Sequence, residues 1–137
     1  MQLATWLRRR ARREPEEPPC VLLVDTDRSA LDAQRSLLAG QFPVETAQGA
    51  IEVFGMEPQV EPGTVVLNQR LGPRDLEAVA EYARHRWPQA RILVMTAGEP
   101  PLEDHLYDET AIEDCSYEDL LRAIHQCARM RQLNHRR

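Results

Sequence analysis

The chain has 137 residues, which is enough for one compact domain and too few for two domains of ordinary size. Hydrophobic residues make up 42% of it and charged residues 28%, with no apolar run of transmembrane length, so a soluble globular domain is expected. All 17 basic side chains are arginines. The absence of lysine from the sequence excludes a phosphate-loop lysine, a Schiff base and other chemistry that needs an ammonium group.

Charge is distributed unevenly along the sequence. Residues 1–19 carry a formal charge of +2 and residues 129–137 carry +4, which leaves −11 on residues 20–128. Nucleic-acid-binding domains usually have a basic face, so this acidic body argues against a nucleic-acid partner. The three cysteines have neither metal-site nor disulfide spacing, and the order of apolar and basic residues at the N-terminus is the reverse of a secretory signal. We therefore expect a cytoplasmic protein.

The first segment in chain order, residues 1–13, is basic and is predicted to form a short helix with Leu3, Trp6 and Leu7 on one side. Such a helix either docks on its own domain or contacts a membrane or a partner. Its arginines are Arg8, Arg9, Arg10, Arg12 and Arg13. Residues 14–19, Glu-Pro-Glu-Glu-Pro-Pro, are predicted to be a linker, because like charges and three prolines oppose regular structure. The predicted domain covers residues 20–130, and residues 131–137 form a basic tail.

From Cys20 onward, short apolar runs alternate with stretches of helical periodicity. The predicted strands are Cys20–Val24, Phe42–Thr46, Thr64–Leu67, Ile92–Met95 and Thr110–Ile112. The predicted helices are Arg28–Leu38 with Asp27 as its N-cap, Ala50–Met56, a helix from Asp75 with a stripe of Leu76, Val79, Ala80 and Ala83, and a helix from Ser116. Alternation of five strands with about five helices predicts an α/β fold, a three-layer, doubly wound, flavodoxin-like domain with a five-stranded parallel sheet. In such folds, functional sites lie at the carboxyl ends of the strands.

Four motifs in order make the sequence resemble the receiver domain of two-component response regulators. These motifs are Val-Leu-Leu-Val-Asp-Thr-Asp at 21–27, Val-Val-Leu-Asn-Gln-Arg-Leu-Gly-Pro at 65–73, Ile-Leu-Val-Met-Thr-Ala at 92–97 and Cys-Ser-Tyr-Glu-Asp-Leu-Leu-Arg-Ala-Ile at 115–124. The resemblance covers residues 20 to about 130. It implies the receiver fold, in which an aspartate on the third strand accepts a phosphoryl group and carboxylates hold magnesium. A hydroxyl on the fourth strand and a lysine on the fifth then detect the product.

The resemblance also implies that this chemistry is lost here. Asn68 stands at the acceptor position, Thr26 replaces one acid of the acidic pair, and Glu113 falls where the family has lysine, so only Asp25 and Thr96 are retained. An amide nitrogen is no nucleophile, and one remaining carboxylate makes a poor magnesium site. We therefore expect a degenerate phosphoacceptor site with no catalytic residue, no metal and no cofactor. Asp25 and Glu113 are expected to repel each other if they lie close together.

The segment 97–109 is short for the loop and helix that receivers place between their fourth and fifth strands, which predicts a remodelled signalling face. The candidate interaction residues on this face are Leu102, His105, Tyr107, Tyr117 and Arg122. Thr110 falls near the position where the family often has an aromatic residue.

The leading hypothesis is a pseudo-receiver without enzymatic activity, a signalling or regulatory module that binds another protein, such as a signalling protein, independently of phosphorylation. A homodimer is an open alternative. A second alternative is a receiver that senses a small anion or ligand at the strand ends. A third is an adaptor that contacts a membrane or nucleic acid through its arginine-rich ends.

Overall fold

The computed structural model describes residues 20–57 and 61–135, with side chains to residue 130. In these ranges, five strands form one parallel sheet in the order β2-β1-β3-β4-β5. The strands are β1 Cys20–Asp25, β2 Val44–Gln48, β3 Pro62–Asn68, β4 Arg91–Thr96 and β5 Glu109–Ile112. The helices are α1 Arg28–Leu38, α2 Ala50–Phe54, α3 Pro73–Arg86 and α4 Tyr117–His135, with 3₁₀ turns at Gln69–Leu71 and Asp104–Leu106. This confirms the predicted doubly wound α/β class.

The three central strands are the ones whose sequences contain an uninterrupted apolar run of three residues or more. Every residue of β3 is buried, and β1 and β4 are buried except at their first residue. A strand covered by helices on both faces has no solvent side, so its side chains do not alternate between polar and apolar.

Each face of the sheet carries its own core. On one face, α2 and α3 pack through Val53, Leu76 and Val79 against Leu22 and Val65. On the other face, α1 and α4 contribute a second set of buried side chains, namely Leu31, Leu38, Leu120, Ile124 and Cys127. The predicted inward stripe of α3 is confirmed, since Leu76, Val79, Ala80 and Ala83 are all buried.

The helix starts follow local sequence signals. The Asp27 carboxylate accepts a hydrogen bond from the Ala30 N–H at 3.2 Å, which confirms its predicted capping role at α1. Helix α3 begins at Pro73, two residues before the predicted start, because proline suits the first helical position and Gly72 before it adopts a left-handed φ of 86°.

Some predicted boundaries were wrong. Strand β2 begins at Val44 rather than Phe42, because Phe42 is buried in the core and Pro43 has no N–H to donate to a strand ladder. Helix α2 ends at Phe54, where Gly55 forms the C-cap, rather than at Met56. Helix α4 extends to His135 and so includes part of the segment proposed as a basic tail. The N-terminal segment and linker, residues 1–19, lie outside the described residues.

The connection between β4 and β5 contains only the 3₁₀ turn Asp104–Leu106, as the short segment 97–109 predicts. Asp108 anchors this connection. Its carboxylate accepts from the Ile92 N–H at 2.8 Å and from Arg84 Nη1 at 3.0 Å, and it lies 3.5 Å from Arg91 Nη1. An ionic anchor thus adds to the apolar contacts that Leu102, Leu106 and Tyr107 of this connection make with the core.

Candidate functional site

The carboxyl ends of four strands bring the predicted site residues together. Asp25 ends β1, Asn68 ends β3, Thr96 ends β4, and Glu113 directly follows β5 and donates its N–H to the Thr96 carbonyl at 3.1 Å. Asp25, Asn68 and Thr96 are each at most 4% exposed. Thr26, the fifth predicted residue, is exposed and contributes its backbone N–H to Asp25 Oδ1 at 2.7 Å.

Arg70 occupies the centre of this site. Its Nε donates to Asp25 Oδ1 at 3.0 Å and its Nη2 donates to Asp25 Oδ2 at 2.5 Å. This is a bidentate ion pair with a carboxylate that is 2% exposed. Asp25 Oδ1 also accepts from the N–H groups of Thr26 and Asp27. Both oxygens of the buried carboxylate are therefore already bound to donors within the chain.

The same guanidinium also reaches Glu113, with Arg70 Nη1 lying 3.3 Å from Glu113 Oε1. Arg70 pairs with both Asp25 and Glu113, so a shared cation offsets the repulsion expected between the two carboxylates. The hydrogen bond to Asp25 is the main cause that raises the pKa of the Arg70 guanidinium above its ordinary value, so the group is cationic at any accessible pH.

Gln69 joins the remaining members of the site. Its Oε1 accepts from the Thr96 hydroxyl at 2.9 Å and from the Ala97 N–H at 3.1 Å. Its Nε2 donates to Glu113 Oε2 at 2.6 Å. One amide thus connects the ends of β3, β4 and β5 through both of its polar atoms.

Asn68 explains why Gln69 and Arg70 point into the site. Its Oδ1 accepts from the Arg70 N–H at 2.9 Å and caps the 3₁₀ turn Gln69–Leu71. Asparagine commonly closes such a turn by bonding the backbone two residues ahead. The residue at the acceptor position therefore has a local structural role, and the turn that it stabilises directs the two following side chains.

The residues present do not fit the magnesium ion of a phosphorylating receiver. Magnesium requires near-octahedral oxygen ligands, usually including carboxylates. Here both Asp25 oxygens accept N–H donors, Asn68 Oδ1 caps a turn, and Thr26 provides no carboxylate. Across residues 20–57 and 61–130, no group of three His, Cys, Asp or Glu side chains is arranged to hold a metal ion.

Sequence reasoning missed Gln69 and Arg70, which it treated only as part of a loop. One signal for Arg70 was available. A buried aspartate at a strand end requires a cation or several N–H donors. In a chain without lysine, an arginine that follows a neighbouring strand end is a strong candidate for that cation.

The predicted interaction residues divide between the two faces. Leu102 and Tyr107 pack on the core beneath α2 and α3, whereas Tyr117 packs on the other core and donates its hydroxyl to the Leu37 carbonyl. The exposed residues of the set make local contacts: His105 Nδ1 lies 3.4 Å from Glu103 Oε2, and Arg122 forms an ion pair with Asp119. The five arginines Arg8, Arg9, Arg10, Arg12 and Arg13 lie outside the described residues.

No protein-family model and no curated protein matches the sequence. Solved structures do match. A structure described as adenylate cyclase from Rhodopirellula baltica has a TM-score of 0.74 at 20% identity, over 85% of this chain and 92% of that chain. A CheY-like response regulator receiver domain protein from Methanospirillum hungatei has a TM-score of 0.72 at 18% identity, over 85% and 98%. The response regulator TrrA from Thermotoga maritima, in complex with Mg²⁺-BeF, has a TM-score of 0.66 at 18% identity, over 80% and 98%.

The chain has the receiver fold. Structures described as response regulators or signal receiver domains predominate among the matches, which confirms the resemblance seen in the strand-end motifs. The receiver fold places Asp25, Asn68 and Thr96 at the edge of the sheet where the motifs predicted them. None of the helices in the described ranges is long and apolar enough to cross a membrane.

Proposed function

We propose that this chain is a pseudo-receiver, a cytoplasmic signalling module that acts by binding a protein partner and does not use an aspartyl phosphate. The receiver fold supports a role as a signalling module. One observation carries the proposal that the chain does not use an aspartyl phosphate. The Arg70 guanidinium forms a bidentate ion pair with Asp25, the remaining carboxylate of the family's acidic pair. The Arg70 cation thereby occupies the Asp25 carboxylate that a divalent ion would need as a ligand.

Two further features of the site support loss of phosphoryl transfer. The acceptor position holds Asn68, whose amide has no nucleophilic oxygen of the carboxylate type. The site also has an excess of negative charge, because Asp25 and Glu113 share the single Arg70 cation and Asp27 is nearby. A phosphodonor anion is therefore repelled rather than attracted.

The same geometry argues against the alternative of a small-anion sensor at the strand ends. Arg70 uses Nε, Nη1 and Nη2 on carboxylates that the protein itself supplies. An incoming anion would have to displace a buried ion pair that has several supporting hydrogen bonds. The Thr96 hydroxyl likewise already donates to Gln69.

The test is incubation of the full chain with Mg²⁺ and acetyl phosphate, followed by intact-mass measurement. We expect no mass increase, whereas a phosphorylating receiver in the same mixture gains one phosphoryl group. The Asn68→Asp variant is the matched control, and it is also expected to remain unmodified, because Arg70 still occupies Asp25. A magnesium-dependent phosphoryl adduct on the wild-type chain would refute the proposal.

A further inference from the structure

The outer face of β5 is uncovered in the described part of the chain. Strands of a parallel sheet normally have helices on both faces. Ala111 packs towards the core formed by α1 and α4, so Thr110 and Ile112 point to the opposite face. The connection on that side supplies only the turn Asp104–Leu106, and Ile112 is 68% exposed.

The surroundings of this face are strongly acidic. Residues 92–121 contain nine aspartates and glutamates and no arginine or lysine. Five of these nine have no arginine or histidine within ion-pair distance among the described residues: Glu99, Asp104, Glu109, Asp114 and Glu118. Glu99 and Asp114 follow the carboxyl ends of β4 and β5 and so lie at the same end as Ile112, and Asp104 lies in the turn on the same side of the sheet. Glu118 lies in the first turn of α4, which packs on the opposite face. A complementary ligand would combine arginines with an apolar side chain.

We propose that residues 1–13 of the same molecule dock on this face of β5. The segment has five arginines and no acidic residue, together with Leu3, Trp6 and Leu7. Arginine forms charge-assisted hydrogen bonds with carboxylates, and an adjacent apolar side chain can remove Ile112 from water. This charge pattern is the complement of the β5 surface.

The chain is long enough for this contact. Strand β1 begins at Cys20, and β5 is three strands away in the sheet order, a lateral distance of about 14 Å. The linker 14–19 spans at most about 20 Å when extended, and the arginine-bearing residues that precede it cover the length of β5. This docking goes beyond the proposed function, because it does not depend on the chemistry at Asp25.

The experiment introduces the photo-cross-linking residue p-benzoylphenylalanine into the full chain in place of Ile112. The matched control has the same residue at Ile51, which is 85% exposed on α2, so neither substitution disturbs the core. We expect peptide mapping to find cross-links from position 112 to residues 1–13 at several times the yield from position 51. The yield should fall at 1 M salt, where the screening length is about 3 Å.

A charge variant and an isotope experiment complete the test. Combined Glu99→Gln, Asp104→Asn and Asp114→Asn substitution, at carboxylates without ion pairs in the described chain, should lower the cross-link yield several-fold. When heavy and light copies are mixed, cross-links should remain within one isotope. Equal yields from positions 112 and 51, yields insensitive to the charge variant, or cross-links of which about half join a heavy copy to a light copy in an equal mixture, as random intermolecular pairing gives, would overturn intramolecular docking.

Discussion

At the scale of single residues, the ion pair between Arg70 and Asp25 is the central contact of the strand-end site. The Arg70→Ala variant leaves a carboxylate that is 2% exposed without its cation. Loss of one partner of a fully buried pair typically costs 3–5 kcal/mol. The Arg70 side chain is 39% exposed, so solvent screening reduces the effect, and we expect the free energy of unfolding to fall by about 2 kcal/mol in urea titrations.

Removal of Arg70 is also expected to permit magnesium binding when an aspartate is restored at position 68. In Asn68→Asp combined with Arg70→Ala, two carboxylates are freed at adjacent strand ends, so millimolar Mg²⁺ should raise the urea midpoint by ligand linkage. The wild type and Asn68→Asp alone serve as controls, and neither midpoint should respond to Mg²⁺ because Arg70 retains Asp25. An equal response in all of these proteins would contradict the assignment of Arg70 as the internal cation.

At the scale of elements, the sequence predicts well where local pattern and structure coincide. The buried strands β1, β3 and β4 were located by their continuous apolar runs, and α1 by its Asp27 cap. Strand β2 was misplaced by two residues, because an apolar Phe42 resembles a strand residue although its ring belongs to the core. Apolar character indicates burial and does not specify which backbone atoms form the ladder.

Sequence pattern was likewise insufficient to predict the contacts within the candidate site. Its strand-end positions were predictable from motif order, but the pair Arg70 and Asp25 is separated by 45 residues in sequence. The contact between Arg70 and Asp25 depends on the turn that Asn68 caps and on the order of the strands in the sheet. Neither of these has a local sequence pattern that identifies the contact.

The connection between β4 and β5 gives a prediction at the same scale, because Asp108 is its anchor. The Asp108→Ala variant leaves the Ile92 N–H, Arg84 and Arg91 without their shared acceptor, and Arg91 Nε is already buried without a partner. We expect a loss of about 2–3 kcal/mol in the free energy of unfolding.

The control for this prediction is Asp119→Ala, which removes a carboxylate that pairs with Arg122 on the surface of α4, where both side chains are more than half exposed. Exposed pairs contribute about 0–1 kcal/mol, so this change should hardly move the urea midpoint. Equal losses in the two variants would show that Asp108 is not an anchor.

At the scale of the whole molecule, the alkylation rates of the three cysteines indicate which parts of the structure unfold together. Cys127 is fully buried between α4 and the sheet, and burial is the first cause that raises the pKa of its thiol to about 12. Burial likewise raises the pKa of Cys20 to about 11, and a smaller degree of burial raises that of Cys115. The reactive species is the thiolate, so a raised pKa and burial both slow alkylation.

We therefore expect iodoacetamide at pH 8 to modify Cys115 first, Cys20 more slowly and Cys127 last, as followed by peptide mass spectrometry. Helix α4 packs on β3, β4 and β5, so exposure of Cys127 requires the core on that face to separate. Its rate should then rise with urea with the slope of global unfolding, whereas the Cys115 rate should depend weakly on urea. A Cys127 rate that is independent of urea would mean that α4 detaches locally, and the two cores would then not unfold as one unit.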